Sequence, residues 1–303
     1  MLENHAFDNM LGWLPGLSNP LTSADCNSYA GVNACATRRG AYEDPDPDHS
    51  VQGTALEIYG TSTPANEHDP AAVLMSGFVH SYAATKNNNA SFGAAIMDCF
   101  DPPHVPVITA LASQFTLLEN YHASVPGPTF PNRLFAMSAT SHGFGDNDPV
   151  QTALGWPQTS IFGKMDAAGV SSRVYFSDVP SALLLSDARN LSSGATGYKF
   201  VETDFAKDVA AGDLAAFTWV EPSYLDIPGI KATDEHPAHV RAGVAVSRRL
   251  RPTPRRPVAV SHPLAPFLRP RRTSPLASAS SRPSTRRFAQ APSGTRRPCS
   301  SLG

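Results

Sequence analysis

Four short stretches gather the residue types that can act on phosphorus or hold a cation. Glu3-Asn4 in LENHAFDNM sets a carboxylate beside a carboxamide, hard oxygen donors of the kind a divalent ion takes. In VPGPTFPNRLFAMSATSHG, residues 125–143, Thr129 stands between prolines that restrict its backbone and present the hydroxyl on a rigid turn. A threonine hydroxyl attacks phosphorus when a metal lowers its pKa, and Asn132 and Arg133 can donate hydrogen bonds to phosphoryl oxygens. TDEHPAHV, residues 233–240, places Asp234 and Glu235 ahead of His236 and His239. Imidazoles three apart can share a metal or work as proton donor and phosphate clamp, with the carboxylates orienting them. DPDPDHS, residues 44–50, brings His49 and Ser50 in behind a run of acids spaced by proline, without the glycine and distant glutamate of an EF-hand. Each stretch alone also has a plain reading: a solvated dipeptide, a proline-capped turn with a structural threonine, an exposed polar loop, a rigid acidic loop.

The elements that must position these residues are those of a layered α/β chain. The polar start followed at once by Met10, Leu11, Trp13 and Leu14 reads as the end of a buried strand entering a helix. Residues 15–55, rich in Gly, Pro, Asn and Asp, read as a long surface loop. A helix is expected from Asp69 as N-cap with Pro70 at its first position. A second is expected in PVITALASQFTLLENYH, with Val107, Leu111, Phe115 and Leu118 on one face covering a sheet. Beyond residue 129, TSIFGKMDAAGV is a helix capped by Thr159 or Ser160 and stopped at Gly169, and SRVYFSD is a strand. DFAKDVAAGD is a helix from Asp204, and LAAFTWVEPSY is a strand ending at Glu221. Alternation of this kind predicts a sheet with helices on both faces and ligands at the strand ends.

Charge divides the chain in two. The net −2 of its 303 residues resolves into −16 over residues 1–240 and +14 over residues 241–303, where 14 arginines and ten prolines meet no Asp, Glu or Lys. That stretch has neither a strand nor a helix period and reads as a disordered tail over 244–303. An Arg-rich tail can hold an anionic membrane or nucleic acid by counterion release. Alternatively it is what a GC-rich gene gives when read out of frame. No apolar run is long enough to span a bilayer, and the first residues show no basic segment followed by an apolar one. Among Cys26, Cys35, Cys99 and Cys299 there is no CxxC spacing; Cys26 and Cys35 either pair or stay free thiols.

In combination, ENHAFDNMLGW, DPDPDHS, PGPTFPNRLFAMSATSHG, WVEPSYLD and DEHPAH resemble, in order and approximate spacing, the phosphoesterase family. That family includes plant and bacterial phospholipases C and bacterial acid phosphatases. The resemblance covers residues 1–243 and implies an alkaline-phosphatase-like α/β fold, a mixed sheet between helix layers. It implies hydrolysis of phosphate esters, phospholipid head groups or small soluble esters, with peripheral membrane contact and no specific nucleic-acid partner. By similarity Thr129 is the nucleophile, and Asn132, His236 and His239 contact the phosphoryl or leaving group. Arg133, His49 and Glu221 fall to substrate binding. Glu3, Asn4 and Asp234 fall to a divalent metal: calcium, magnesium or zinc.

The sequence departs from the family pattern at two places. Family members carry an apolar strand before ENxxFD, so this chain is expected to lack its first strand. After DEHPAH they continue with an Asp and a DExxGxxDH motif, whereas here Val240 follows His239 and residues 241–303 hold no carboxylate side chain. The alternative function is therefore a catalytically dead remnant that binds phosphate or lipid, with a basic tail adding membrane or nucleic-acid affinity.

Overall fold

The computed structural model describes residues 3, 5–40, 43–65, 69–190, 197–225 and 232–236. Asn4, His239, Cys299 and the tail expected over 244–303 lie outside the described residues. In chain order the elements are α1 (Phe7–Leu11), the hairpin β1 (Cys26–Tyr29) and β2 (Val32–Cys35), α2 (Val51–Tyr59), α3 (Phe78–Ala84), α4 (Ala90–Gly93) and α5 (Pro106–Gln114). There follow α6 (Thr129–Ser138), α7 (Pro149–Leu154), α8 (Ile161–Ala167), β3 (Ser172–Phe176), β4 (Gly197–Phe200), α9 (Ala206–Ala211) and β5 (Phe217–Val220).

Three strands form a parallel sheet in the order β4-β3-β5, with Val174 opposite both Tyr198 and Trp219. Parallel strands need crossovers that cover the sheet faces. The period-2 alternation of β3 distributes its side chains accordingly. Val174 joins a core with Leu134 and Met137 of α6, Phe162 of α8 and Trp156. Tyr175 points the other way, where its hydroxyl meets Asp208 of α9 at 2.5 Å and its ring meets Phe205. Helix α8 starts as its sequence predicts, with the Ser160 hydroxyl accepting from the Gly163 amide, and Gly169 beyond it takes a left-handed φ of +68°. The architecture is a mixed α/β fold.

Four expectations are corrected. Residues 15–55 are not loop throughout: Cys26 and Cys35 face each other across β1 and β2 and are joined by a disulfide, which settles their pairing. The helix expected from Asp69 is a single 3-10 turn, Pro70–Ala72, capped as predicted; the helix proper begins at Phe78. Its approach is fixed by Gly77, where a β-carbon would lie 1.9 Å from the Leu56 carbonyl oxygen, so only glycine lets α3 come this close to α2. Helix α5 exists, but none of its residues is buried, and Val107 is 73% exposed. Its apolar face, continued by Phe115 and Leu118, covers no sheet among the described residues. Finally, Thr129 does not stand on a turn: it is the first residue of α6, and Pro131 fits because the first turn of a helix needs no intrahelical N–H donors.

Candidate active site at the amino end of helix α6

The first turn of α6 is braced from below. Asn132, 6% exposed, accepts from the Val125 amide at 2.9 Å and directs its own amide to the carbonyls of Val125, Gly127 and Pro128 at 2.9–3.1 Å. These contacts fold the PGP loop back onto the helix and set the position from which Thr129 emerges. From the side, Asn147 Oδ1 accepts from the Phe130 amide at 2.8 Å. Thr129 is half-buried and sits where the helix dipole favours negative charge.

One turn further on, Arg133 is fully buried. Its Nε and Nη2 each lie 2.7 Å from Glu3 Oε1, its Nη1 donates to the Ser181 hydroxyl at 3.2 Å, and its guanidinium lies 4.8 Å from the centre of the Tyr224 ring. Glu221, at the carboxyl end of β5, accepts from the Ser181 amide and the Trp219 indole, both at 2.6 Å, and from the Ser181 hydroxyl. Asp178, at the end of β3, accepts from the Tyr224 and Leu225 amides and shapes the turn after Glu221. The strand ends thus supply the carboxylates, as sheets of this kind do.

The structure gives other partners to three groups expected on the substrate. Asn132 is spent on loop backbone, while Arg133 and Glu221 belong to a buried ion network. A planar guanidinium with five donors suits such burial. Glu3 likewise commits one carboxylate oxygen to Arg133, and its amide donates to the Asp234 carbonyl at 3.1 Å. Of the expected metal set, Asn4 lies outside the described residues, and Glu3 and Asp234 are neighbours through this backbone bond.

Another set of ligand atoms comes together. Asp46, His49 and His236 each offer a ligand atom, all within 4.8 Å of one another, and all three residues are half-buried. His49 Nδ1 lies 3.3 Å from Asp46 Oδ2, and its ring meets that of His236 edge-on at 5.6 Å. Asp234, 1% exposed, places Oδ2 2.8 Å from His236 Nδ1, the carboxylate-to-imidazole support common behind metal-binding or proton-transferring histidines. Burial works against the charged form of His236. The hydrogen bond to Asp234, with the charges of Asp234, Asp46 and Glu3, outweighs it and raises the ring above its ordinary value. His5 is driven the other way: burial pushes it down to about 4, against a hydrogen bond to Asn9 that favours the protonated ring and with help from the His236 charge. The two imidazoles are thus shifted in opposite directions.

The loop that carries Asp46 and His49 holds a strained acid. Glu43 is 3% exposed; burial raises its carboxyl from 4.5 to about 8, and the charges of Asp98 and Asp46 add to this. In the unfolded chain the group ionises near 4.5, so the fold is fully stable with respect to it below that pH and loses stability as pH rises towards 8. Glu43→Gln is expected to remove this loss, stabilising the chain by about 2–4 kcal/mol at pH 8 and by little at pH 4.5. Urea unfolding at the two pH values measures it, and equal effects at both would count against the buried acid.

Thr129, Asp234 and His236 open on a cavity of about 690 Å³. Its remaining wall is largely apolar, with Phe130, Val179, Leu183, Leu184 and Leu225 among the lining residues. A few polar groups set in a largely apolar lining suit a ligand with a charged head and an apolar body. Residues 1–253 match the model of the phosphoesterase family.

The chain belongs to the phosphoesterase family.

Among curated relatives, this phosphoesterase is 33% identical over 246 residues to non-specific phospholipase C6 of Arabidopsis thaliana, covering 79% of the chain and 45% of the relative. It is 32% identical over 255 residues to non-specific phospholipase C1 of the same plant, covering 80% and 46%. It is 27% identical over 290 residues to phospholipase C A of Mycobacterium tuberculosis, covering 82% and 51%. The phosphoesterase chain spans about half the length of the curated relatives it matches.

Signals for several of these residues were present in the sequence. Asp46 lies three before His49, a spacing that brings two ligands together in a turn, although the acid run reads first as solvated loop. His5 sits inside ENHAFDNM. Ser181 stands in no motif, and only the fold brings it to Arg133.

Proposed function

We propose that the chain hydrolyses phosphate esters of the phospholipid type, with Thr129 as nucleophile. The observation that carries this reading is the position of Thr129, at a helix amino end and at the mouth of a cavity whose polar lining includes Asp234 and His236 and whose wall is otherwise largely apolar. The Thr129 oxygen forms a bond to phosphorus as the bond from phosphorus to the leaving alkoxide breaks. The threonine proton leaves to solvent, from which the leaving alkoxide takes its own; water then cleaves the phosphothreonine and returns a proton to the threonine oxygen, with Asp234 and His236 on the same cavity. The helix amino end stabilises charge on the phosphoryl oxygens. On this reading the apolar wall takes the apolar body of the ester. Val179 and Leu225, 54% and 50% exposed, would meet a lipid surface peripherally. The alkaline-phosphatase-like arrangement of the whole sheet is part of the same proposal.

A divalent ion fits the donors present: two imidazoles and one carboxylate suit a zinc-like ion better than calcium, which takes oxygen. Asp46, His49 and His236 would hold it, with Asp234 behind His236. When bound, such an ion supplies Lewis-acid polarisation of a phosphoryl oxygen. Calorimetric titration with zinc is expected to show one site per chain, lost in His49→Ala; an unchanged isotherm in that variant would remove the triad from consideration.

The second reading, binding without turnover, draws on the absence of any carboxylate side chain in residues 241–303. Incubation with p-nitrophenyl phosphocholine separates the two. Release of nitrophenol supports hydrolysis, and saturable binding without release supports the remnant.

A further inference from the structure

Arg133 and Glu221 are both fully buried at their side chains, yet Nη1 and Oε1 stand 3.8 Å apart, too far for a direct hydrogen bond. Ser181 spans the gap. Its hydroxyl accepts from Arg133 Nη1 at 3.2 Å and donates to Glu221 Oε1, while its amide donates to Glu221 Oε2 at 2.6 Å. Ser181 is itself 7% exposed, begins the turn Ser181–Leu184 after β3, and lines the cavity shared with Thr129. Arg133 follows Thr129 by four residues on α6, so the two lie on one helix face, one turn apart.

We propose that Ser181 is a positioning residue for Thr129: its hydroxyl couples Arg133 on α6 to Glu221 at the end of β5, and so fixes the helix turn that carries Thr129 over the cavity. The proposal rests on the reading of Thr129 as nucleophile. Arg133 is anchored to Glu3 on its Nε and Nη2 edge, and the bond from Nη1 to Ser181 holds the guanidinium from another edge. Tyr224 covers its face. The Ser181 proton is committed to Glu221 and the Ser181 oxygen to Arg133, so Ser181 serves the site through its neighbours and not as a second nucleophile.

The test compares the full chain with Ser181→Ala and Ser181→Thr. For each, kcat and KM are measured on p-nitrophenyl phosphocholine, and the affinities for inorganic phosphate and for vanadate are measured by calorimetry. Vanadate mimics the five-coordinate state only when an oxygen nucleophile is in line. In Ser181→Ala, kcat is expected to fall about 10- to 100-fold, the loss that follows from a small misplacement of a reacting group. KM and phosphate affinity should stay within about twofold of the unmutated values, because the removed hydroxyl touches no substrate oxygen. Vanadate affinity should weaken in step with kcat, and Ser181→Thr, which keeps a hydroxyl, should recover most of the rate. Melting temperatures of the three chains should agree within a few degrees, since the amide bond to Glu221 survives in the alanine variant.

The positioning role is overturned if Ser181→Ala keeps its kcat, if phosphate affinity falls with it, or if threonine gives no rescue. Turnover by the unmutated chain together with any of these sinks the role of Ser181 while leaving Thr129 in place. An unmutated chain that neither turns over nor binds vanadate overturns the reading of Thr129, and the positioning role with it.

Discussion

Thr129→Ala is expected to lower hydrolysis of p-nitrophenyl phosphocholine by about 10³-fold or more, the size of loss found when a covalent nucleophile is deleted. The helix amino end and His236 remain in that variant, so substrate binding should survive while the step that breaks the ester bond does not. Thr129→Ser, which keeps a hydroxyl on the same backbone, should hold a substantial share of the rate. Acid quench during turnover followed by peptide mass spectrometry should find phosphate on the peptide containing Thr129. Hydrolysis by the alanine variant at the unmutated rate would move the nucleophile elsewhere.

Arg133→Met is expected to destabilise the fold by about 3–5 kcal/mol, because it leaves Glu3 and Glu221 as buried carboxylates with no cation between them. Against a typical total of about 5–15 kcal/mol, a loss of that size leaves a large unfolded fraction at physiological temperature. The cost belongs to the stranded carboxylates more than to the lost contact. Removing the charges as well, in the triple variant Glu3→Gln, Arg133→Met, Glu221→Gln, should therefore return much of the stability. Urea unfolding of the single and triple variants decides it, and a triple variant no more stable than the single one would mean that Arg133 works by packing instead.

Local patterns in the sequence carried strands β3 and β5 and helix α8 well, but not β4 or the parallel pairing of the three strands. The Ser160 cap, the stop at Gly169 and the strands ending near Asp178 and Glu221 depend on residues close together in the chain, and the structure reproduces them. Helix α5 exposes the limit of periodicity, which predicts an apolar face but not what covers it. The Asp69 turn fails to propagate for a reason seen only in three dimensions: the Leu74 and Met75 amides that follow it donate to the Ile58 carbonyl of α2. Within the site, His236 and Asp234 were legible because they stand two residues apart in one motif, whereas the partners of Arg133 were not. No local signal distinguishes a glutamate that faces phosphate from one that faces a guanidinium, and Ser181 reaches Glu221 only because the β3 and β5 ends lie side by side.

The contacts around Arg133 also govern when the site can come into being. Glu3 lies 130 residues from Arg133, Ser181 lies 48 from it, and Glu221 a further 40 beyond Ser181. Closing spans of this length costs loop entropy that no neighbouring contact repays in advance, so structures rich in such pairs assemble late. On the ribosome, α6 can wind as soon as it emerges, but Arg133 must wait for Glu221 to be synthesised before its second acidic partner exists. Until then the guanidinium has one counter-charge and an open side, and the hydroxyl of Thr129 rides on a helix without its final anchor. A chain interrupted anywhere before residue 221 can therefore hold every residue of the PGPTFPNR motif and still present no formed site.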